Sequence, residues 1–276
     1  MPSVQRSLTI HAPLPRQGEA MKRRWLAPLA VLVFAVAALL ASGDSAPPAA
    51  AQADPVAGKH ICIDPGHGGD EPGAVNAAFK LVEREINLDE SLYLRDQWVA
   101  RGAIVTMTRE GDETKSSRDR YELCNSVGAD ILVSVHTNSV SDSTIDGALS
   151  IYFWNEDKVL AGAVHEVLYP ALEPMAPEPG NFDNLGLWKM ALGVLLKSEM
   201  PSFTAEPVFM SHPAEAALLV TPIYEEDGGL NPDCSDCRRL QIAQAIIGGV
   251  DNYFLNFAGE EPEGPGAGKG RATKPR

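Results

Sequence analysis

The chain has 276 residues, of which 45% are hydrophobic, and 23 Lys and Arg stand against 37 Asp and Glu for a formal charge of −14. That balance describes a globular protein, and the length allows one large domain or two small ones. Residues 54–258 alone carry 14 basic and 32 acidic groups, so their charge of −18 disfavours nucleic acid and anionic lipid as partners.

The N-terminal end reads as a targeting segment. Lys22, Arg23 and Arg24 precede an apolar run over 25–41, followed by small residues, Pro and the triplet Ala51-Gln52-Ala53. A basic start, an apolar stretch and an A-x-A site make a secretory signal peptide, with cleavage expected near Ala53 and Ser42/Gly43 as the alternative position. An uncleaved anchor is the alternative, although the apolar run is slightly short of the roughly 20 residues a spanning helix needs. Met21 is read as the true start. Residues 259–276, rich in Gly, Pro and Glu, read as a disordered tail.

Between these ends the elements alternate. Residues 60–63 predict a short apolar strand that ends in Asp64-Pro65-Gly66-His67-Gly68-Gly69. Ile86, Leu88, Leu92, Leu94, Trp98 and Val99 predict a helix over 83–100. A strand is expected over 103–107, a helix capped by Ser116 or Ser117 over 117–127, and a buried strand over 131–135 that ends at His136. A strand over 148–154 and a helix over 158–169 follow. Pro174, Pro177, Pro179 and Gly180 make 172–184 a loop. A helix is expected over 185–197, a strand within 201–209 and a terminal helix over 238–257. This order predicts a single α/β domain over 54–258, with a central, mostly parallel or mixed sheet and helices on both faces.

In such a sheet the site lies at the carboxyl ends of strands. His67 and His136 each follow a strand, and Glu83 opens the helix after the first. Two His and one carboxylate are the minimum for a catalytic zinc that keeps one position for water. Spacing alone signals this weakly, because the three residues are scattered. Glu85 competes with Glu83 as the ligand. Asp64 reads as a group that shapes its turn and supports the site, and Asn138 as a substrate contact or a turn former.

The motifs themselves carry more. Ile61-Cys62-Ile63-Asp64-Pro65-Gly66-His67-Gly68-Gly69, Glu83-Arg84-Glu85-Ile86-Asn87-Leu88, Thr108-Arg109-Glu110-Gly111-Asp112, the segment from Arg118 to Asn125 with Ala129-Asp130, and Ser134-Val135-His136-Thr137-Asn138 stand in order along the chain. With them the chain resembles the zinc-dependent N-acetylmuramoyl-L-alanine amidases, cell-wall hydrolases of the Amidase_3 type, from His60 to about Phe257. The resemblance implies one zinc held by His67, Glu83 and His136. It also implies a catalytic glutamate within a Met-Pro…Glu…Ser-x-Pro-x-Glu stretch. Ala216 to Val220 imitates that stretch but puts Thr221 at the glutamate position. Met200-Pro201 through Pro213-Ala214-Glu215 keeps the register, with Val208 and His212 departing from the family's Gly and Asn, and makes Glu206 the implied general base.

The implied reaction is zinc-assisted hydrolysis of the amide between the lactyl group of N-acetylmuramic acid and L-alanine, in peptidoglycan or a muropeptide. The enzyme is expected to be an exported monomer, with no membrane contact beyond its leader and with the need for an activator left open. A non-catalytic wall-binding or regulatory protein on the same fold, or a zinc amidase or peptidase with another substrate, is the alternative. His60 and His165 read as structural or surface groups, and His212 as a neighbour of the site more than a ligand. Cys234-Ser235-Asp236-Cys237 reads as a local disulfide clip, a redox pair or two thiols, and Cys62 and Cys124 as buried free thiols.

Overall fold

The computed structural model describes residues 53–259. The expected signal peptide, apart from Ala53, and the expected tail beyond Gly259 lie outside the described residues. Eight strands and six helices are named in chain order.

Strand β1 (His60–Pro65) is followed by a hairpin of β2 (Val75–Asn76) and β3 (Leu81–Val82), then helix α1 (Glu83–Ala100). Ile86, Leu94 and Trp98 face inward on α1, while Glu83 and Glu85 lie in its first turn, where the helix dipole favours acid. Strand β4 (Ile104–Met107) leads to α2 (Ser117–Ser126). The Ser116 hydroxyl caps α2 and Asp119 returns the bond, so both ends of a capping box are made. Strand β5 (Ile131–Val135) is buried at every residue, as expected of a central strand covered on both faces.

Strand β6 (Asp146–Tyr152), α3 (Asn155–Leu172), β7 (Phe182–Lys189), α4 (Gly193–Lys197), β8 (Ser202–Glu206), α5 (Pro213–Leu218) and α6 (Arg238–Asn256) complete the order. The main sheet runs β4-β1-β5-β8-β6-β7. Strands β4, β1, β5 and β8 are mutually parallel. β6 is antiparallel to β8, and β7 runs parallel to β6. The fold is therefore a single α/β domain with a mixed, mostly parallel sheet.

Residues of opposite parity on each strand feed two cores. Ile61, Ile63, Ile131, Val133 and Phe203 pack with α1, α3 and α6 in the larger one. Cys62, Leu132 and Leu149 join Val194, Leu195 and Met200 in the smaller one.

Three sequence expectations give way. The helix expected over 185–197 is β7 followed by a helix of only five residues. Gly186, at φ 71°, and Gly193 weaken a helix there, and β6 offers a ladder, with a register shift at Ala148/Leu149 opposite Gly186. The loop expected over 172–184 contains two 3-10 turns and already becomes strand at Phe182. Cys62 and Cys124, expected as free thiols, are joined in a disulfide that pins β1 to α2 across the smaller core. Cys234 and Cys237 form the local clip expected before the terminal helix. Among the described residues, no helix is long and apolar enough to cross a membrane.

Candidate active site

The chain leaves β1 for β4 on one side and returns to β5 on the other, so the carboxyl ends of β1 and β5 flank a switch point. His67 stands two residues past β1 and His136 one residue past β5. β8 lies on the other side of β5 and ends at Glu206, and the His136 amide donates to the Ala205 carbonyl at 3.1 Å. Three neighbouring strand ends thus deliver His67, His136 and Glu206, and the first turn of α1 brings Glu83 across them.

Glu83 Oε1 lies 3.2 Å from His67 Nε2 and 3.0 Å from His136 Nδ1. One donor atom from each residue falls within 4.8 Å of the others. Two ligands bonded at about 2.0–2.2 Å to a tetrahedral zinc stand roughly 3.3–3.5 Å apart, so the two Glu83–His separations lie near what one small cation needs. Two neutral imidazoles and one carboxylate are also the donor set zinc takes. The imidazole rings meet edge to face, with centroids 4.9 Å apart.

Space for this convergence depends on two glycines. A Cβ on Gly66 would lie 2.3 Å from the His136 ring, and one on Gly73 would lie 2.6 Å from Glu83 Oε2 and 2.7 Å from the His67 ring. The two imidazoles remain reachable, with His67 28% and His136 22% exposed, while Glu83 is buried.

Glu83 is fixed from several directions. Its Oε2 accepts the Ala74 amide at 2.9 Å. Its Oε1 accepts the Thr137 amide and the Asn87 side-chain amide, each at 3.3 Å. Asn87 also donates to the Gly66 carbonyl and accepts from the Thr137 hydroxyl. Burial works to raise the Glu83 carboxyl, but hydrogen bonds from His136 and His67 outweigh it and hold the group well below the usual carboxylate range. Glu85, its competitor in the sequence, is exposed.

Glu206 differs. No hydrogen bond from the described residues reaches its carboxyl. Burial, reinforced by the nearby charge of Glu83 and opposed by His136, pushes it up to about 7. A carboxyl poised there exchanges a proton in either direction near neutral pH.

The loop after Glu206 is laced to its neighbours. The Asn138 amide donates to Val208 and its carbonyl accepts from Met210, which extends the pairing of β5 with β8. Asn76, from the β2–β3 hairpin, donates to the Met210 carbonyl at 2.8 Å. The Asn138 side chain accepts the Ser139 amide, the turn-forming arrangement. His212 caps α5 by accepting the Glu215 amide and stands apart from the three converging donors. His60 bonds Thr106, and His165 is buried between Ser150 and Asn184. Thr221, the rival for the glutamate position, lies in a turn beyond α5.

Asp64 is buried and supports the site from below, accepting from Thr108, Arg120 and Ser134 at 2.6–2.8 Å. The segment read from Arg118 has its working arginine at Arg120. Arg118 is exposed and pairs with Glu122 on its own helix. Sequence reasoning missed Asn87, Thr137 and the buried pair Arg109 and Arg120. The in-register spacing from Arg120 to Cys124-Asn125 was the signal available for Arg120.

Residues 61–229 match the family Amidase_3, described as N-acetylmuramoyl-L-alanine amidase. The germination-specific N-acetylmuramoyl-L-alanine amidase of Bacillus subtilis is 29% identical over 227 residues, covering 76% of this chain and 85% of that protein. The catalytic domain of the amidase CwlV from Bacillus (Paenibacillus) polymyxa var. colistinus superposes with a TM-score of 0.59 at 26% identity, covering 71% of this chain and 98% of that one. The CwlD amidase of Clostridioides difficile, solved in complex with the GerS lipoprotein, gives 0.57 at 26% identity, covering 71% of this chain and 98% of that one. By fold and by the family match over most of its length, this chain belongs to the Amidase_3 family of N-acetylmuramoyl-L-alanine amidases.

Proposed function

We propose that this protein is an exported zinc enzyme that hydrolyses the amide between the lactyl group of N-acetylmuramic acid and L-alanine in peptidoglycan or its muropeptides. The observation that carries the reading is the convergence of His67, Glu83 and His136 at the switch point, with Glu206 on the adjoining strand end. In this reading residues 1–53 are the leader, 54–258 the catalytic domain and 259–276 a tail. Export is supported by the signal-like leader and by two disulfides, which persist in oxidising compartments.

His67 Nε2, His136 Nδ1 and one oxygen of Glu83 would hold a single zinc. When bound, that ion supplies Lewis-acid polarisation of the amide carbonyl and acidifies a water. The chain supplies the proton traffic. Glu206 accepts the proton that the attacking water loses and delivers it to the departing alanine nitrogen, so one carboxyl serves both halves of the reaction. Ala74, Asn87 and Thr137 keep Glu83 turned toward the two histidines throughout.

Mass spectrometry of products from defined muropeptides tests the reaction. The expected products are a free stem peptide beginning with L-alanine and a saccharide retaining its lactyl carboxylate, and a chelator is expected to stop their release. Cleavage elsewhere in the stem, or cleavage indifferent to the chelator, would contradict the assignment.

A further inference from the structure

Beneath the His67 loop lie two arginines that the reaction above does not use. Arg109 is 2% and Arg120 6% exposed. Arg120 pairs with Asp64 at 2.8 Å, whereas Arg109 bonds no carboxylate. Its donors go to four backbone carbonyls: Pro65 at 3.0 Å, Gly66 at 2.9 Å, Arg84 at 2.7 Å and Gly111 at 3.0 Å. Arg120 adds Pro65 at 2.7 Å, His67 at 2.6 Å and Lys115 at 3.1 Å. Three consecutive carbonyls, those of residues 65, 66 and 67, are therefore gripped by two guanidinium groups.

This grip falls on an unusual piece of backbone. His67 has φ 62°, a left-handed conformation that is uncommon for a residue with a Cβ and costs energy unless its surroundings support it. Gly68 follows at φ 125°, and a Cβ there would lie 2.9 Å from the Arg109 side chain, so the loop sits directly on the guanidinium. Burial, with repulsion from Arg120, lowers Arg109 to about 10. The fold bears the cost of two adjacent buried cations here, and what they hold in common is the His67 loop.

We propose that Arg109 and Arg120 form a positioning clamp that holds His67 in its left-handed conformation and so aims its imidazole at the cation shared with Glu83 and His136. This rests on the ligand set proposed above and adds to it the device that presets one ligand. The clamp depends on the planar fork of arginine: a lysine keeps the charge, but its three donors leave one nitrogen and cannot reproduce the fixed, spread fork that meets these carbonyls.

Arg109→Lys and Arg120→Lys test this, with Arg118→Lys on the exposed face of α2 as the control. Hydrogen exchange of the 66–69 amides is read in metal-free protein, zinc affinity by chelator competition, and site geometry from the visible spectrum of the cobalt-substituted protein. In the unmutated metal-free chain, 66–69 is expected to exchange as slowly as β1, and fast exchange there overturns the clamp without any variant. In each clamp variant the same amides are expected to exchange faster, zinc to bind about 10–100-fold more weakly as when a ligand's supporting partner is lost, and the cobalt spectrum to shift, while Arg118→Lys changes none of these. Folded variants with unchanged exchange, or with faster exchange but unchanged zinc affinity and spectrum, overturn the proposal. Arg120→Lys carries the test where Arg109→Lys does not fold. A chain that binds no zinc yet loosens at 66–69 in the clamp variants would refute the ligand reading and leave the grip on the loop standing.

Discussion

The ligand corner and the Glu206 corner of this site are built in opposite ways. Around His67, Glu83 and His136 nearly every polar atom is held: both Glu83 oxygens accept bonds, and the His67 loop is gripped through three carbonyls. At Glu206 the backbone is fixed by β8 but the carboxyl accepts no hydrogen bond from the described residues. A cation site gains affinity when its donors cannot relax, whereas a base that takes and returns a proton must not be locked into one protonation state. In the proposed mechanism this contrast places geometry at one corner and proton traffic at the other.

The largest way to break that contrast is to remove a ligand. His136→Ala is expected to abolish stoichiometric zinc, weakening it by more than the about 10–100-fold that losing a supporting partner costs. Equilibrium dialysis with elemental analysis checks this, and a fully zinc-loaded His136→Ala protein would refute the ligand set.

Next in size is the charge under the ligand corner. Burial tends to raise Asp64, but Arg120, Thr108 and Ser134 outweigh it and hold the group below its ordinary value. The folded state therefore binds its proton less readily than the unfolded state. The stability this contributes is complete above the unfolded value of about 3.9 and is lost as pH falls through the folded value. Asp64→Asn strands Arg120 and is expected to cost about 3–5 kcal/mol at neutral pH. It is also expected to flatten the decline in stability below about pH 4. Denaturant unfolding of metal-free protein across pH measures both.

The disulfides give a similar effect at one site and a smaller one at the other. Cys62 and Cys124 are 62 residues apart, and chain-entropy reasoning assigns about 4 kcal/mol to closing such a loop. Cys234 and Cys237 are three apart, for which the same reasoning gives about 2 kcal/mol. Thermal unfolding of paired Cys→Ser variants is expected to rank them in that order. The first pair also ties β1 to the helix that carries Arg120, so its loss is expected to loosen the ligand corner, while loss of the second leaves that corner intact.

Legibility in the sequence followed patterning. β1, β5 and β8 are uninterrupted buried strands and α1 and α6 keep helical spacing, so the parallel half of the sheet and the placement of His67 and His136 at strand ends could be read directly. β7 could not, because a half-exposed edge strand with apolar residues at mixed intervals satisfies either period. Arg109 was invisible as a buried group, since a guanidinium paired with carbonyls leaves no complementary charge in the sequence, and Arg120 was passed over because its segment was read from Arg118. The Cys62–Cys124 link joins residues that only the fold brings together. Glu83 and Glu206 were singled out by motif register, and their contrasting surroundings emerged only from the three-dimensional arrangement.

The division between the two corners is tested most directly by Glu206→Gln, assayed for bound zinc and for muropeptide products on the same preparation. Full zinc occupancy with amide hydrolysis lowered by about 10²–10⁴-fold is the expected result. Activity near that of the unmutated chain, or loss of zinc together with activity, would contradict the account.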